Sequence, residues 1–387
     1  MPLSLAELEA FRSQQDLVAD ALVADLVRDH GIGAVNQLLP TLTRNYELKA
    51  ELFPGEVGQR VGQYLAETAQ PPSWASPEAI RIAQELFADH GIVIAMLLQF
   101  RSLPMTYACA HGARVLYETG LMTARDGQPN LVRRLMETAQ FVIFCMEPGG
   151  LAPGGRGIVT AQKVRLIHAC IRHYLNDRGW DHALYGAPIN QEDMAGTLLA
   201  FSALVIEGLE MSGFTFSTEQ KDAYIHCWNV ISHWNGLDPA LLTPDYESAL
   251  QLGYTILRHQ QAASPAGTQL TAALIQAAQQ QTGGLFKDTV PALIRYYCTD
   301  QLGDLLGVPA EPLAKEHQLA DRIKLLDSDA QHIGEKHAFL RWMLGRMSVD
   351  FLQLSTTMFN HFKSVPFYLP AYLTESASAF DTLNHPG

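Results

Sequence analysis

The stretch that decides the fold reads Thr160-Ala-Gln-Lys-Val-Arg165-Leu-Ile-His168-Ala-Cys-Ile-Arg172-His-Tyr-Leu175. At about 100° per residue, Arg165, His168 and Arg172 fall within an arc of roughly 60° on one face of a helix. Apolar side chains fill most of the remaining circumference, and a helix of this composition is usually buried. A histidine between two arginines in a buried helix needs anionic or metallic partners.

The spacing on this helix leaves two interpretations open. In the first, His168 ligates haem iron while the guanidinium groups of Arg165 and Arg172 neutralise the haem propionates. In the second, His168 is an ordinary core histidine, and the two arginines pair with buried acids from neighbouring helices. The residues of this helix alone do not separate these interpretations.

Composition and charge exclude several classes of protein. The chain has 387 residues, 48% of them hydrophobic and 17% charged, which predicts a large globular core. Its net charge of -13 disfavours nucleic acids and anionic membranes as partners. The N-terminus lacks the basic and apolar regions of a secretory signal, and the longest apolar run, residues 197–206, falls short of the about 20 residues that span a bilayer. We therefore predict a cytoplasmic protein with no membrane span. The five cysteines, which form no C-x-x-C pair, are predicted to be buried thiols.

Helix signals recur along the rest of the chain. Ser76-Pro-Glu predicts a helix start with proline at the first helical position, Asn190 precedes acids that suit a first turn, and Ser217 with Gln220 fits a capping box. Further helices are predicted at residues 322–328 and 336–360. No segment shows strand-like alternation bounded by hairpin turns. The predicted fold class is all-α, a single large helical domain with globin-like packing of many helices and with peripheral N- and C-terminal helices.

Two other patterns look functional at first sight. Asp29-His-Gly-Ile recurs as Asp89-His-Gly-Ile, and we predict that a helix ends at each glycine, Gly31 and Gly91, rather than that the His/Asp pairs bind metal. Residues 148–157 form a glycine-rich loop that lacks the Gly-Lys-Ser/Thr ending of a phosphate-binding loop. A flexible connection is the better interpretation of this loop.

A resemblance to a known family rests on two runs of sequence. These are Lys163-Val-Arg-Leu-Ile-His168-Ala-Cys-Ile-Arg172 and Gly186-x-Pro-Ile-Asn190-Gln-Glu-Asp-Met-Ala-Gly-Thr-Leu. Together they resemble the signature of the latex clearing protein (rubber oxygenase) and MpaB-type oxygenase family, over roughly residues 95–310. The resemblance implies helices packed around haem b, with a single proximal histidine that corresponds to His168. It also implies three parts: an N-terminal helical segment (1–94) packed on the core, the haem-binding core (95–310) and a C-terminal helical extension (311–387).

The same resemblance implies a set of distal residues. The family's acid/base glutamate corresponds to Glu118, the nearby arginine to Arg134 and the pocket threonine to Thr138. Without the resemblance, these would be a surface acid at a helix end, a helix salt bridge and a hydroxyl bonded to its own helix. The predicted site therefore has Glu118, Arg134 and Thr138 as catalytic residues. The residues predicted to bind the cofactor are His168, Arg165 and Arg172, with His168 as the iron ligand.

Glu137 departs from the family's latex clearing branch, which carries a lysine that caps the iron in a closed state. A carboxylate is a poor ligand for ferrous haem, so the lysine-capped state is not expected here, and Glu137 serves as an acid/base group or points away. The two histidines His226 and His233 are predicted to have structural roles.

The sequence thus predicts a haem-b-dependent oxygenase that acts with O₂ on a small apolar cytoplasmic substrate. Two other classes of function stay open at this point. One is a haem protein that binds or senses O₂, NO or peroxide without oxidising carbon, and the other is a haem-free helical interaction protein.

Overall fold

A computed structural model of the protein describes residues 3–44, 52–53, 55–119, 130–281 and 289–310. Throughout these ranges the regular structure is helical and no β-strand is present, which confirms the predicted all-α fold class. The helices predicted at residues 322–328 and 336–360, like the whole predicted C-terminal extension, lie outside the described residues. The α-helices are α1 Leu5–Phe11, α2 Leu17–His30, α3 Ile32–Arg44, α4 Gly55–Thr68, α5 Pro77–Leu97, α6 Leu103–Ala108, α7 Ala110–Glu118, α8 Asn130–Met146, α9 Arg156–Asp177, α10 His182–Tyr185, α11 Gln191–Phe201, α12 Ala203–Met211, α13 Thr218–Trp234, α14 Tyr246–Gln260, α15 Pro265–Gln281, α16 Thr289–Cys298 and α17 Asp300–Leu305. A π-helical turn, Leu98–Ser102, joins α5 to α6.

Helix α9 carries the stretch quoted first and lies in the middle of the molecule. It packs against α2, α3, α8 and α13, and most of its side chains are buried. Burial on nearly every face is what the apolar circumference of this helix predicts. The N-terminal helices therefore cover the same central helix as the rest of the chain.

The local helix starts agree with the capping signals in the sequence. Ser76 accepts a hydrogen bond from the Ala79 backbone N–H at the start of α5, and Asn190 accepts one from the Asp193 N–H at the start of α11. Ser217 and Gln220 form the predicted capping box of α13. These predictions hold because a cap depends on residues three apart in the chain.

The repeated Asp-His-Gly-Ile pattern has two different outcomes. Gly31 ends α2 with φ 73°, as predicted, but α5 continues past Gly91 to Leu97, so no helix ends at Gly91, although the chain bends by 80° between Pro77–Gly91 and Val93–Ala108. The residues after Gly91 include Ile94 and Leu97, which are fully buried, so packing against the core carries the helix onward. The ring of His90 packs edge-on against two phenylalanines, and this contact does not need a metal.

The glycine-rich loop is a close-packed turn, so the prediction of a flexible connection is wrong. A Cβ on Gly150 would lie 2.0 Å from the backbone oxygen of Phe144, and one on Gly155 would lie 2.3 Å from the backbone oxygen of Gly150. The Gly157 N–H donates to the same Gly150 oxygen at 2.9 Å. Only glycine permits backbone segments to approach this closely, and the turn fixes the start of α9.

Within the described ranges, one apolar helical stretch, Gln191–Met211, has the length and composition to cross a membrane, with 21 residues and a mean hydropathy of 1.5. A second span is counted only if the bent pair Pro77–Gly91 and Val93–Ala108 is taken as one unit. The first stretch is 67% buried inside the protein, as is typical of a core helix. The absence of a membrane span therefore stays a prediction. All five cysteines are free thiols; Cys109 is partly buried and the other four are buried.

Candidate active site

A cavity of about 370 Å³ lies beside α9, bounded mainly by side chains of α6, α7, α8, α9, α11 and α14. Its volume falls within the roughly 300–1,000 Å³ that is typical of small-molecule sites. Most of the wall is apolar, including Leu116, Phe141, Ile167 and Phe201. The titratable side chains that line it among the described residues are Tyr107, Cys109, Arg134, Glu137, Lys163, His168 and Asp193.

His168 reaches this cavity from the middle of α9. Its Nδ1 atom is buried and has no hydrogen-bond partner in the described part of the chain. Burial, followed by the positive charges of Arg172 and Arg134, lowers the pKa of His168 to about 3. The imidazole is therefore neutral at physiological pH, which is the form that ligates a metal.

Arg165 and Arg172 lie on the same helix but do not line the cavity. Arg165 binds Asp16 through two hydrogen bonds, Nε to Oδ2 at 2.5 Å and Nη2 to Oδ1 at 2.7 Å. Arg172 donates from Nε to Oδ1 of Asp20 at 2.7 Å, while its Nη1 and Nη2 atoms are buried without partners among the described residues. Both arginines thus pair with buried or half-buried acids of α2, which was the alternative interpretation of their spacing. Their role as cofactor contacts stays a prediction, and the contacts of Arg165 do not favour it.

The α8 wall of the cavity carries a second group of charges. Arg134 donates from Nη1 to Oε2 of Glu137 at 2.5 Å, and the Thr138 hydroxyl donates to the backbone oxygen of Arg134 at 2.9 Å. Across from them on α9, burial lowers the pKa of Lys163 to about 8, although the Glu137 carboxylate opposes this shift. Glu137 therefore faces the cavity rather than pointing away from it.

Glu118 has a different position from the one that the resemblance implies. It is the last residue of α7, its side chain is 36% exposed, and it forms an ion pair with Arg114 one turn earlier. It is not among the residues that line the cavity, to which α7 contributes Val115 and Leu116. Residues 120–129, which follow Glu118 in the chain, lie outside the described residues. The structure thus brings His168, Arg134 and Thr138 together but leaves Glu118 apart.

Comparison with known proteins connects this geometry to a family. A sequence model of the family "ER-bound oxygenase mpaB/B'/Rubber oxygenase, catalytic domain" matches residues 81–325. The chain belongs to this family. A rubber oxygenase of Streptomyces sp. (strain K30) is 26% identical to this oxygenase over 301 residues, which cover 77% of this chain and 72% of the relative. The structure of a latex clearing protein in the closed state shares the fold, with a TM-score of 0.67 and 24% identity over 87% of this chain and 89% of the other.

Asp193 is a residue of this oxygenase's cavity that sequence reasoning missed. The sequence indicated only that an acid in the first turn of α11 suits the helix dipole. In the structure its carboxyl lies at the cavity wall, where burial raises its pKa to about 7. Its place within the Asn190-Gln-Glu-Asp run of the family signature was the only signal that could have marked it.

The structural roles predicted for His226 and His233 agree with their contacts. The Nε2 atom of His226 accepts a hydrogen bond from the Ser76 backbone N–H at 2.8 Å. Both imidazole rings pack edge-on against Trp74, and neither lines the cavity. These histidines of the oxygenase join α13 to the segment that precedes α5.

Proposed function

We propose that this oxygenase is a haem-b-dependent enzyme that oxidises a small apolar substrate with O₂ in the cytoplasm, and that His168 is the axial iron ligand. The observation that carries the proposal is a neutral histidine at the wall of an apolar cavity, whose buried Nδ1 atom has no hydrogen-bond partner in the part of the chain that the structure describes. Membership of an oxygenase family makes this cavity the natural place for the reaction.

The residues present fit a haem group. Haem iron takes a single neutral imidazole as its proximal ligand in several classes of protein. The Nη1 and Nη2 atoms of Arg172, one turn from His168, are buried without an acceptor among the described residues, which would suit a propionate, although Arg172 does not line the cavity. Arg165 fits this role less well because Asp16 already occupies its guanidinium. When bound, haem supplies the O₂ chemistry that protein side chains lack.

The remaining side chains would bind the substrate and handle protons. The apolar wall excludes water and favours an apolar substrate over a charged one. Arg134 holds the Glu137 carboxylate at the cavity, while Lys163, with a pKa of about 8, can exchange a proton near neutral pH. The Thr138 hydroxyl is directed to its own helix and supports the position of Arg134. The resemblance assigns proton transfer to Glu118, whereas these contacts favour Glu137.

The two glutamates can be separated by matched substitutions. We expect Glu137→Gln to lower turnover by about 10²-fold or more without changing haem content, because general acid–base catalysis contributes roughly 10²–10⁴-fold. O₂ consumption by the purified variants, normalised to haem, measures this effect. Glu118→Gln is the matched comparison. A loss confined to Glu118→Gln would reverse the assignment in favour of the residue that the resemblance implies.

The function itself is tested on the purified full-length protein. An absorption spectrum with a pyridine haemochrome assay should show one haem b per chain, and a panel of small alkenes and terpenes should include one that stimulates O₂ consumption. A haem-containing protein that consumes no O₂ with any compound would instead be a binding or sensing protein. A folded, colourless protein that cannot be reconstituted with haem would contradict the proposal. Cell fractionation tests the cytoplasmic location.

A further inference from the structure

A second, polar cavity of about 300 Å³ lies next to the apolar one, and Arg12 stands between them. Arg12 lines the polar cavity, and its Nη1 atom is 3.7 Å from Oδ1 of Asp193, which lines the apolar cavity. Arg12 is only 4% exposed. The other polar residues that line the second cavity are Glu9, Ser13, His111, His182, His259, Gln260 and Gln261.

Arg12 is a single fixed cation that faces two buried carboxyl groups. Its Nη1 atom lies 3.6 Å from Oε2 of Glu192 and 3.7 Å from Oδ1 of Asp193, and both distances exceed hydrogen-bond length. Its short hydrogen bonds go instead to Oε1 of Gln260 and to the backbone oxygen of Tyr185, each at 2.5 Å. One cation does not stabilise two buried negative charges at these distances, so we expect one of the two carboxyl groups to be protonated.

The hydrogen bonds decide which of the two acids holds that proton. Glu192 accepts from Nε2 of Gln260 at 2.8 Å and contacts Nδ1 of His259 at 2.7 Å, and the contact with His259 opposes the rise in the pKa of Glu192 that burial causes. Among the described residues, the side-chain donor to the Asp193 carboxyl is Nδ2 of Asn190, at 2.8 Å. Burial raises the pKa of Asp193 to about 7, Arg12 opposes this shift and Glu192 adds to it. The proton therefore belongs on Asp193 at and below neutral pH.

The other titratable groups around Asp193 leave this balance in place. Glu9 of α1 lies 3.9 Å from Nε of Arg12 but is 65% exposed, and its charge is screened by water. The Nδ1 atom of His111 on α7 contacts Nη2 of Arg12 at 3.0 Å, and burial, followed by the charge of Arg12, lowers the pKa of this imidazole and so favours its neutral form. Burial raises the pKa of the Cys109 thiol, which is therefore uncharged as well.

Gly112, which has no side chain, leaves room for the Asp193 carboxyl at the wall of the apolar cavity. A Cβ placed on Gly112 of α7 would lie 3.3 Å from both Cγ and Oδ1 of Asp193, so a larger side chain there would press on the carboxyl. The Asp193 side chain is 13% exposed and lines the cavity, whereas that of Glu192 is fully buried and does not. Asp193 is thus a hydrogen-bond donor on a wall that is otherwise mostly apolar.

We propose that the preferred substrates of this oxygenase are apolar molecules that carry a hydrogen-bond-accepting oxygen, such as a carbonyl, and that Asp193 binds this oxygen as a neutral donor. The oxidation of such a substrate after it binds rests on the proposed function. The binding step itself does not depend on haem or turnover. A carboxyl group that donates a hydrogen bond inside an apolar pocket discriminates against ligands without an acceptor, because its own O–H would then lose a partner.

The test compares two ligands of the same carbon skeleton, the ketone camphor and the hydrocarbon bornane. Their affinities for the full-length protein are measured by isothermal titration calorimetry from about pH 5.5 to about pH 8.5. Camphor should bind more tightly than bornane at low pH, and its affinity should fall about tenfold per pH unit above the pKa of Asp193, as the protonated fraction falls. Bornane affinity should not change with pH.

Asp193→Asn gives the matched control because the amide keeps a donor but does not titrate. This variant should bind camphor equally well across the pH range. Gly112→Ala is a second variant that leaves every charge in place. It should lower the affinity for camphor more than the affinity for bornane. Equal pH dependence for both ligands, or a fall in camphor affinity that persists in Asp193→Asn, would overturn the inference. A protein that lacks haem but shows the predicted camphor binding would contradict only the proposed function.

Discussion

His168→Ala is expected to abolish haem binding, whereas His173→Ala, five residues further along the same helix, is expected to leave haem content unchanged. The physical reason is that His168 presents a neutral imidazole to the cavity, while His173 does not line it and packs its ring edge-on against Tyr174. Haem held by a single protein ligand loses that bond completely when the imidazole is removed. Pyridine haemochrome assays on both purified variants measure the difference.

A control for folding is needed because His168 lies on the central helix. Helical content measured by circular dichroism should be the same in both variants, since the alanine removes a side chain whose Nδ1 atom has no hydrogen-bond partner among the described residues. A folded His168→Ala variant with full haem content and an unchanged absorption spectrum would show that another residue holds the iron. Recovery of haem binding on addition of free imidazole would strengthen the assignment.

Asp16→Ala is expected to lower the free energy of unfolding by roughly 3–5 kcal/mol, because it leaves the guanidinium of Arg165 buried without its counter-charge. The Asp16 side chain is only 3% exposed, and both of its oxygens bind Arg165. The same carboxylate caps α2 by accepting from the Val18 and Ala19 N–H groups, and the loss of such a cap costs about 1 kcal/mol more. Urea denaturation followed by circular dichroism gives the measurement.

Asp29→Ala on the same helix is the matched control. Asp29 also forms ion pairs with arginines, Arg28 and Arg60, but these pairs lie on the surface, where water and salt weaken them. We expect no resolvable change in its urea midpoint. Equal destabilisation by Asp16→Ala and Asp29→Ala would mean that burial of the Arg165 pair contributes nothing.

The parts of this structure that the sequence predicts are those that depend on neighbouring residues. The caps at Ser76, Asn190 and Ser217 follow from side chains three residues from the groups they bind. The burial of α9 follows from its own apolar circumference. The position of His168 on that helix followed in the same way, and the cavity beside it agrees with the resemblance.

The parts that the sequence did not predict depend on residues that are distant in the chain. Asp16, the partner of Arg165, lies 149 positions away, so no local spacing could distinguish a buried ion pair from a propionate contact. Gly91 carries the same local motif as Gly31, but burial of the following residues continues the helix through it. The elevated pKa of Asp193 likewise depends on burial by segments that are distant in the chain, which raises the pKa against the opposing charge of Arg12, a residue of the N-terminal segment.

The two ion pairs between α2 and α9 set a minimum size for a fragment that can fold by itself. The family match begins at residue 81, but the carboxylates that neutralise the buried side of α9 belong to residues 16 and 20. A fragment cut at the family boundary would lose α2 and α3, which cover α9, and would leave the two arginines and the apolar residues of that face exposed to water. The cooperative unit of this oxygenase is therefore longer than the segment by which its family is recognised, and an expression fragment has to begin ahead of Asp16.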